Sequence, residues 1–536
     1  MLASCAFKNQ VTGGVSISSR WKKETTVQDA ETQTSKLKVV SAEAQTDVSS
    51  LQASEQLDKS VGTEKKAYQA SLDGLQYVYA EVQYDEAKLA TFLEGSKEEM
   101  LAILHKNAKS SIFDNYAPNW SRKNTELAVL YTLNAAVVKE NGLEALDVAW
   151  SASGTMLAVA YGRVDTSGWC YNKGYVCIWN LSRPDLKEGK PHYTLETETY
   201  ATTLAFHPTT ASMLAVGTYS GEVVVFPNVT DNVPQEYSSS EAELVHTEPV
   251  TVLQWVSNPQ ELRPDHRFVL CSASQSGLIV HWSPANALAK PLAAYSVQSR
   301  RRLSVGITAL SYTGVQTDRG TQLPTLDSVL LVGLENGEVG RGRTGLVPLD
   351  VNLKAPCTVV PVELDWLEAH RGPVQSLCTS PFFRHLLLTC SSDGSARLYT
   401  DLERSPLLTL EPSAETKSYL YGAALSPFRP AVAAVVSRES LLHVYDLQKD
   451  QMRPAYTAEA GTEGAAVLAV AFNSIAADWL ATGDGQGSVK VWRLPTELSQ
   501  ATEAERAALR ASQPSRGEKQ ESDGSSAIRD LFGFAV

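Results

Sequence analysis

The chain has 536 residues, and its 60 acidic against 47 basic side chains give a formal net charge of −13, which argues against a broad nucleic-acid-binding surface. Its seven cysteines are scattered, without a CxxC pair or zinc-type spacing, so we predict a reduced intracellular protein without a metal site. No stretch approaches the ~20 apolar residues of a membrane-spanning helix, so we expect no insertion into a membrane.

Residues 1–76 are rich in Ser, Thr, Gln, Glu and Ala and contain few large aliphatic side chains. Such a segment buries too little apolar surface to offset its ordering entropy, so we predict that it is disordered when alone. Two similar strings lie in it, AETQTSKL around Gln33 and SAEAQTDV around Gln45, and a looser one, KSVGTEKK, surrounds Thr63. Strings of this kind suit strand addition to the sheet edge of a partner. The alternative is that QT dipeptides are simply common in Thr- and Gln-rich disorder.

Residues 77–124 form a predicted linker that contains one amphipathic helix. We expect a short strand at 77–83 and a helix from Asp85 to Lys106, with Asp85 as its N-cap. The apolar side chains of this helix recur at helical spacing and define one stripe, formed by Leu89, Phe92, Leu93, Met100, Ile103 and Leu104. Two interpretations stay open, because the stripe can pack on the flank of the following domain or dock a partner.

Residues 125–495 contain seven copies of one unit, in which a turn is followed five residues later by the end of a strand. The unit endings are KGYVCIW, SGEVVVF, SGLIVHW, NGEVGRG, DGSARLY, ESLLHVY and QGSVKVW. One sheet of short antiparallel strands cannot bury both of its faces, so each unit must stack on its neighbours. The repeats resemble the WD-repeat family. They predict an all-β fold, a seven-bladed β-propeller preceded by the disordered segment and the helix.

The unit that spans residues 370–402 carries most of the buried polar network typical of WD repeats. In the family this network runs from a His before the first strand, through a Ser or Thr, to an Asp in the turn and a final Trp. The residues that we assign to it are His370, Ser391, Asp393 and Tyr399 in this unit, and His246 and Trp282 in another unit. We interpret them as structural hydrogen-bonding residues rather than as a catalytic dyad.

The two ends of the repeat region are predicted to meet. Nothing strand-like follows Trp492, so the seventh unit lacks an outer strand, and the alternating stretch 127–133 can supply it. Closure of this kind joins both ends of the ring and leaves no open sheet edge of the kind that invites aggregation. Residues 496–536 form a predicted helical and disordered tail, which ends in the hydrophobic string IRDLFGFAV.

Three further stretches carry a more specific resemblance. They are HKNAKSSIFDNYAPNW at 105–120, the insert AYGRVDTSGWCYNKGYVCIWNLSRPDL in the first repeat, and the ending GDGQGSVKVWRL. With them the chain resembles the WD-repeat intermediate chains of the intraflagellar-transport, or cytoplasmic type 2, dynein. The resemblance implies a non-catalytic subunit whose propeller binds the tail of the motor heavy chain. It also implies a second WD-repeat intermediate chain as a partner, an indirect link to intraflagellar transport trains, and a location in the cytoplasm and the cilium or flagellum, at the axoneme and basal body.

The same resemblance assigns light-chain sites to the N-terminal region. It implies that dimeric hub-type light chains bind Thr32, Gln33 and Thr34 and also Ala44, Gln45 and Thr46. A third site at Val61, Gly62 and Thr63 departs from the motif because it lacks Gln. The resemblance further implies that the 85–106 helix binds a roadblock-type light chain. A Tctex-type light chain is a further candidate partner.

Alternative functions are a WD-repeat scaffold or substrate receptor of a ubiquitin ligase, an axonemal dynein intermediate chain, and an enzyme. Ubiquitin-ligase receptors resemble one another in a Trp-Asp-x-Arg ending, but Trp179, Trp282 and Trp492 are never followed by Asp. The sequence contains no GxxxxGK[ST] phosphate loop and no GxSxG elbow. The Gly-rich stretch 333–342 lies in a repeat turn and strand. We therefore predict no catalytic residue and no cofactor.

Overall fold

A computed structural model of the chain describes most of the region after residue 84 and six short strands before it. The longer described ranges are 85–108, 126–163, 172–231, 233–259, 267–316, 322–345, 357–413 and 417–503, with single positions 505, 506, 509 and 532 beyond them. The chain divides into two compact units, 1–120 and 121–536.

The described residues of the first unit form three small antiparallel hairpins and one long helix. The hairpins pair Phe7–Asn9 with Gly13–Val15, Gln56–Asp58 with Thr63–Lys66, and Tyr68–Ala70 with Tyr77–Tyr79. The helix, α1, spans Glu86–Ala108 and so ends two residues beyond the predicted Lys106. Its N-cap is confirmed, because Asp85 Oδ1 accepts the backbone N–H groups of Ala87 at 3.1 Å and Lys88 at 3.4 Å.

In the described part of the second unit, seven antiparallel sheets follow one another and form the predicted seven-bladed propeller. Blade 1 consists of Glu144–Trp150, Met156–Gly162, Gly174–Asn180 and Tyr193–Thr197. Blade 2 consists of Ala201–Phe206, Leu214–Thr218, Val223–Phe226 and Tyr237–Ser238. Blade 3 consists of Val250–Ser257, Phe268–Ser274, Leu278–Trp282 and Pro291–Ser296, with Val359–Pro361 added in parallel at its outer edge.

The remaining blades repeat the same order of strands. Blade 4 consists of Ile307–Tyr312, Leu330–Leu334, Val339–Gly342 and Leu364–Trp366, and it carries the small hairpin Gly314–Gln316 and Gln322–Pro324. Blade 5 consists of Val374–Thr379, Leu386–Ser391, Ala396–Thr400 and Leu408–Leu410. Blade 6 consists of Leu420–Leu425, Val432–Ser437, Leu441–Asp446 and Tyr456–Glu459. Blade 7 consists of Val467–Phe472, Trp479–Asp484, Val489–Arg493 and Ala128–Leu133.

The closing strand of blade 7 is the one predicted from the sequence. Ala128–Leu133 pairs antiparallel with Val489–Arg493, with Leu133 opposite Val489 and Ala128 opposite Arg493. Leu133 and Val489 are both fully buried in one hydrophobic cluster. The predicted closure is confirmed, and it joins the start and the end of the propeller in a single sheet.

The second strand of each blade lies between two neighbouring blades, and this position explains why the strand is mostly apolar. Met156–Gly162, Phe268–Ser274 and Val432–Ser437 are buried at every position. A strand that is covered on both faces reads as a continuous apolar run rather than as an alternating one. One sheet alone cannot bury its apolar faces, so the hydrophobic core forms where the blades stack on one another.

The tight turns explain the glycines of the repeat. Gly337 in blade 4 has a φ of 84°, and a Cβ at this position would lie 2.5 Å from the backbone oxygen of His370. Glycine is required here both by the left-handed backbone and by this close approach. The stretch 333–342 is therefore part of a strand, a turn and a strand, as predicted. In blade 6 Ser440 occupies the corresponding position with a φ of 65°, a conformation that is strained for a non-glycine residue.

Hydroxyl groups on the innermost strands connect adjacent blades. Thr202 Oγ1 donates to the backbone oxygen of Val250 at 2.6 Å, and Thr251 Oγ1 donates to that of Ile307 at 2.7 Å. Asp147 Oδ2 accepts the backbone N–H of Leu204 at 2.8 Å, which joins blade 1 to blade 2. Its burial raises the pKa of Asp147 to about 6. These residues line the central cavity of the propeller.

The described part of the C-terminal tail packs on blades 5, 6 and 7. A short helix spans Thr496–Ser499, and Glu505 beyond it is fully buried. Arg429, also fully buried, donates from Nε to both carboxylate oxygens of Glu505 at 3.0 and 2.9 Å. Its Nη1 and Nη2 atoms donate to the two oxygens of Asp446 at 2.8 and 3.1 Å. The guanidinium thus ties the tail to the propeller, because a buried charge needs such partners.

Candidate protein-interaction site

The apolar stripe of α1 is exposed along most of its length. The exposed large side chains are Leu89, Phe92, Leu93, Met100, Leu101 and Leu104, while Ile103 is half-buried. With 3.6 residues per turn, the six positions named from the sequence span about 120° of the helix circumference. Leu101, which the periodicity does not single out, lies about 60° beyond one edge of this arc. Contiguous exposed apolar surface on a helix is typical of a protein-interaction site.

The middle of α1 contains the least helix-favouring part of its sequence. Gly95 is helical, and apart from its chain neighbours and the backbone of the helix itself no atom lies within 4 Å of the position that a Cβ would occupy there. Glycine is thus not required by packing at this point, and it costs helix stability relative to alanine. The described residues of α1 are almost all exposed. In the absence of a partner, the helix must therefore be stabilised by interactions within itself.

The predicted hub-type light-chain sites lie almost wholly outside the described residues. This applies to Thr32, Gln33, Thr34, Ala44, Gln45, Thr46, Val61 and Gly62. Thr63 is the first residue of the strand Thr63–Lys66, which pairs with Gln56–Asp58. These sites therefore stay predictions.

The polar network of blade 5 brings His370 and Asp393 together. His370 Nδ1 lies 3.2 Å from Asp393 Oδ2, and the backbone N–H of Arg371 donates to the same oxygen at 3.0 Å. Asp393 Oδ1 accepts the backbone N–H of Ser395 at 2.9 Å and its hydroxyl at 2.7 Å. The carboxylate thus fixes both the turn and the histidine ring.

The hydroxyl that contacts His370 Nε2 belongs to Thr389, at 2.8 Å, and not to Ser391. Ser391 Oγ instead donates to the backbone oxygen of Gly372 at 3.0 Å and accepts the N–H of Asp393 at 3.1 Å. Tyr399 departs from the family arrangement as well, because its hydroxyl donates to the backbone oxygen of Glu368 at 2.8 Å. Thr389 and Ser395 are members of the network that the repeat pattern did not identify.

Blade 3 contains the His–Ser–Trp part of the network without its acidic member. His246 Nε2 lies 2.7 Å from Ser272 Oγ, and Trp282 Nε1 donates to the same oxygen at 2.8 Å. Ser276 occupies the turn and bonds to Ser274 at 2.7 Å. Among the described residues, His246 Nδ1 has no hydrogen-bond partner. The substitution of the turn Asp by Ser276 explains this unsatisfied atom.

The electrostatics of these histidines fit a structural role. Burial raises the pKa of Asp393, but hydrogen bonds from His370, from Ser395 and from the backbone N–H groups of Arg371 and Ser395 outweigh it and hold this pKa well below its ordinary value. Burial lowers the pKa of His246 to about 4, so its ring is neutral at physiological pH. The His370 side chain is inaccessible to solvent. A general base must reach its substrate, which this ring does not.

Within the described residues, no group of three or more His, Cys, Asp or Glu side chains is arranged to hold a metal ion. None of the described helices is long and apolar enough to cross a membrane.

The geometry of the blades defines the class of this protein as a WD-repeat β-propeller, and the family "WD domain, G-beta repeat" matches residues 362–400. "Cytoplasmic dynein 2 intermediate chain 2" of Mus musculus is 32% identical over 474 residues, which cover 84% of this chain and 83% of that relative. The protein of the same name from Homo sapiens is 31% identical, with 78% of each chain covered. The chain belongs to the family of WD-repeat dynein intermediate chains, of the cytoplasmic dynein 2 type.

The chain is less similar to axonemal dynein intermediate chains, which were the alternative. "Dynein axonemal intermediate chain 4" of Danio rerio is 26% identical over 343 residues, which cover 63% of this chain but only 40% of that relative. The family assignment also argues against the ubiquitin-ligase receptor.

Proposed function

We propose that this chain is the non-catalytic intermediate chain of the dynein that drives retrograde intraflagellar transport. The observation that carries the proposal is the similarity over 474 residues, which covers 83% of a cytoplasmic dynein 2 intermediate chain. In this proposal the chain works in the cytoplasm and in the cilium or flagellum, at the axoneme and basal body. The segments 1–76, 77–124, 125–495 and 496–536 have separate tasks.

The closed propeller is proposed to bind the tail of the dynein heavy chain. In the described ring the blades are stacked and Ala128–Leu133 covers the edge of Val489–Arg493, so the blades keep only short edges and offer a rigid set of loops to a partner. A rigid surface loses little conformational entropy when it binds. This supports a scaffold role, in which the propeller holds the motor while the N-terminal unit collects other subunits.

The exposed stripe of α1 is proposed to bind a roadblock-type light chain. Phe92, Met100 and Leu104 are each more than half exposed, at 57%, 60% and 62%. An amphipathic helix that lays such a face into a hydrophobic groove gains its affinity from anchors at helical spacing. Burial of one large apolar side chain contributes ~1.5–3 kcal/mol, which is enough for two or three anchors to decide binding.

The N-terminal segment is proposed to recruit dimeric hub-type light chains through Gln33 and Gln45 and their flanking residues. Two intermediate chains side by side can fill the two grooves of one light-chain dimer, so a second WD-repeat intermediate chain is part of the proposal. Tctex-type light chains are further candidates for this segment. Intraflagellar transport trains are reached only indirectly, through the assembled motor.

The helix assignment is tested by a pair of matched double variants in the full chain. Leu93→Ala with Leu104→Ala removes two side chains of the stripe. The control, Glu94→Ala with Glu98→Ala, also introduces alanine, which favours helix, but on the opposite side of α1. We expect the first pair to lose roadblock-type light chain in affinity purification and the second pair to retain it. Equal retention by both would exclude the stripe as the light-chain site.

The function itself is tested in ciliated cells that lack the chain. Reintroduction of the full chain should restore the return of transport particles from the ciliary tip, and a chain without residues 1–120 should bind heavy chain but restore transport poorly. Normal retrograde transport in cells without the chain would contradict the proposed function.

A further inference from the structure

A basic hairpin projects between blades 3 and 4 and is used by none of the roles above. Residues 298–304, the arginine hairpin, are held by a bridge between Gln298 and Ser304 and by the backbone N–H of Ser299, which donates to the oxygen of Leu303 at 2.8 Å. Its exposed tip consists of Arg300, Arg301, Arg302, Leu303 and Ser304. Three adjacent arginines stand out in a chain whose net charge is −13.

The three arginines are not equivalent. Arg300 is anchored, since its Nη2 donates to the backbone oxygen of Leu367 at 3.2 Å and its guanidinium lies 5.9 Å from the ring centroid of Trp366. Arg301 and Arg302 are exposed and precede Ser304 by three and two residues. Guanidinium groups bind carboxylates in a bidentate manner, so two arginines at these positions match an acidic peptide-binding cleft.

Ser304 is the hydroxyl of the hairpin that an enzyme can reach. It is exposed, and its Oγ donates to the backbone oxygen of Ser276 at 3.2 Å. Ser299, the other serine of the hairpin, is buried, and its Oγ accepts the backbone N–H of Leu303 at 3.1 Å. Position and exposure thus select Ser304 over Ser299.

The hairpin can open locally to present an extended peptide. Few backbone hydrogen bonds hold its tip, and exposed loops of this kind open at low free-energy cost. Arg302 has a φ of 58°, a conformation that is unfavourable for a residue with a side chain, so extension relieves strain there.

We propose that Ser304 is a phosphorylation site for an arginine-directed Ser/Thr protein kinase, with Mg²⁺-ATP as the phosphoryl donor. Ser304 Oγ attacks the γ-phosphorus of ATP, the bond from that phosphorus to the β–γ bridging oxygen breaks, and ADP leaves. The hydroxyl proton passes to the catalytic carboxylate of the kinase. Arg301 and Arg302 bind the acidic cleft of the kinase and position Ser304 for the transfer.

The modification has a direct structural consequence. Phosphorylated Ser304 can no longer donate to the backbone oxygen of Ser276, and its phosphate oxygens repel that acceptor. The phosphate adds a charge of about −1.5 to −2 beside Arg301 and Arg302, which neutralises the exposed basic tip. Phosphorylation therefore releases the hairpin from the turn of blade 3 and removes its positive charge.

The test uses the full chain, Mg²⁺-ATP and the catalytic subunit of cyclic-AMP-dependent protein kinase, which is an arginine-directed enzyme. We expect about one phosphoryl group per chain by intact mass, located at Ser304 by peptide mapping. Ser304→Ala should abolish it, and Arg301→Ala with Arg302→Ala should slow it at least about tenfold. The matched control Ser276→Ala, which keeps the backbone acceptor, should be phosphorylated normally.

Two results would overturn the proposal. One is undiminished phosphorylation of Ser304→Ala with an unchanged melting temperature, which would place the site elsewhere. The other is phosphorylation of a synthetic 298–308 peptide but not of the full chain, which would show that the folded hairpin is inaccessible. Hydrogen exchange checks the consequence, because amides 298–305 should exchange faster in the phosphorylated chain, and unchanged exchange would contradict release of the hairpin.

Discussion

Leu133 lies opposite Val489 in the antiparallel pair that closes the propeller, and both side chains are fully buried in the same cluster. The strand that completes the last blade thus comes from a segment before the first blade. The two ends of the propeller hold each other in place, so the integrity of the ring depends on residues 128–133.

The pairing of Ala128–Leu133 with Val489–Arg493 predicts different outcomes for two N-terminal deletions. Removal of residues 1–120 ends at the boundary between the two units and should leave a soluble, folded propeller. Removal of residues 1–135 should expose the edge of Val489–Arg493 and cause aggregation, since an unpaired strand edge recruits other chains. Size-exclusion chromatography with light scattering measures the aggregation of the two proteins. Identical behaviour would refute the proposed role of Ala128–Leu133 in closing the propeller.

Asp393→Ala should lower the free energy of unfolding by ~1–3 kcal/mol, because His370 and the N–H groups of Arg371 and Ser395 lose their acceptor. The folded-state pKa of Asp393 is depressed, so its stabilisation is present above its unfolded pKa of ~3.9 and is lost as the pH falls through the folded value.

Denaturant unfolding checks this prediction over pH. The difference between the native chain and Asp393→Ala should be constant from about pH 5 to 7 and should shrink below about pH 4. Asp327→Ala, at an exposed loop position, is the control and should change little at any pH. Unchanged melting of Asp393→Ala with loss of a bound partner would place Asp393 in an interface instead.

Glu505→Ala should destabilise the propeller strongly, although Glu505 lies in the tail beyond the last blade. It removes one of the two carboxylates that pair with buried Arg429, and breaking a buried ion pair costs up to about 3–5 kcal/mol. Glu503→Ala, two residues away and exposed, is the matched control. Thermal unfolding should separate the two variants, and equal melting temperatures would show that the tail does not stabilise the propeller.

Gln33→Ala with Thr34→Ala should weaken light-chain recruitment at both QT motifs. Each added strand buries little surface and loses ordering entropy, so single sites bind weakly. In the proposed assembly, binding at Gln33 would hold two intermediate chains together and raise the effective concentration for pairing at Gln45.

Calorimetry of 25–70 peptides tests this coupling, with and without the segment of the second intermediate chain. The further exchange of Gln45 and Thr46 for alanine should abolish binding, while the full chain keeps a folded propeller. Two sites that bind independently, with no gain from the second chain, would contradict the proposed coupling.

The blades and their closure are predictable from the sequence because they depend on local patterns. Turn glycines such as Gly337 recur at a fixed distance from the end of the following strand in six of the seven units, and the unpaired end after Trp492 requires a strand from elsewhere. The helix start at Asp85 is predictable for the same reason, since a capping residue acts within three positions.

Contacts that depend on the exact position of a side chain are not predictable in this way. Thr389 and Ser391 lie two residues apart on the strand Leu386–Ser391, hence on the same face, and spacing cannot tell which hydroxyl meets His370. The pairing of Arg429 with Glu505 spans 76 residues. The composition around Glu505 indicated only a helical or disordered tail.

Native affinity purification of the tagged full chain from ciliated cells, with mass-spectrometric identification of the co-purifying subunits, tests the central claim most directly. A dynein intermediate chain should bring down the dynein heavy chain in stoichiometric amount, together with light chains and a second WD-repeat intermediate chain. Recovery of a cullin adaptor without any dynein heavy chain would contradict the account.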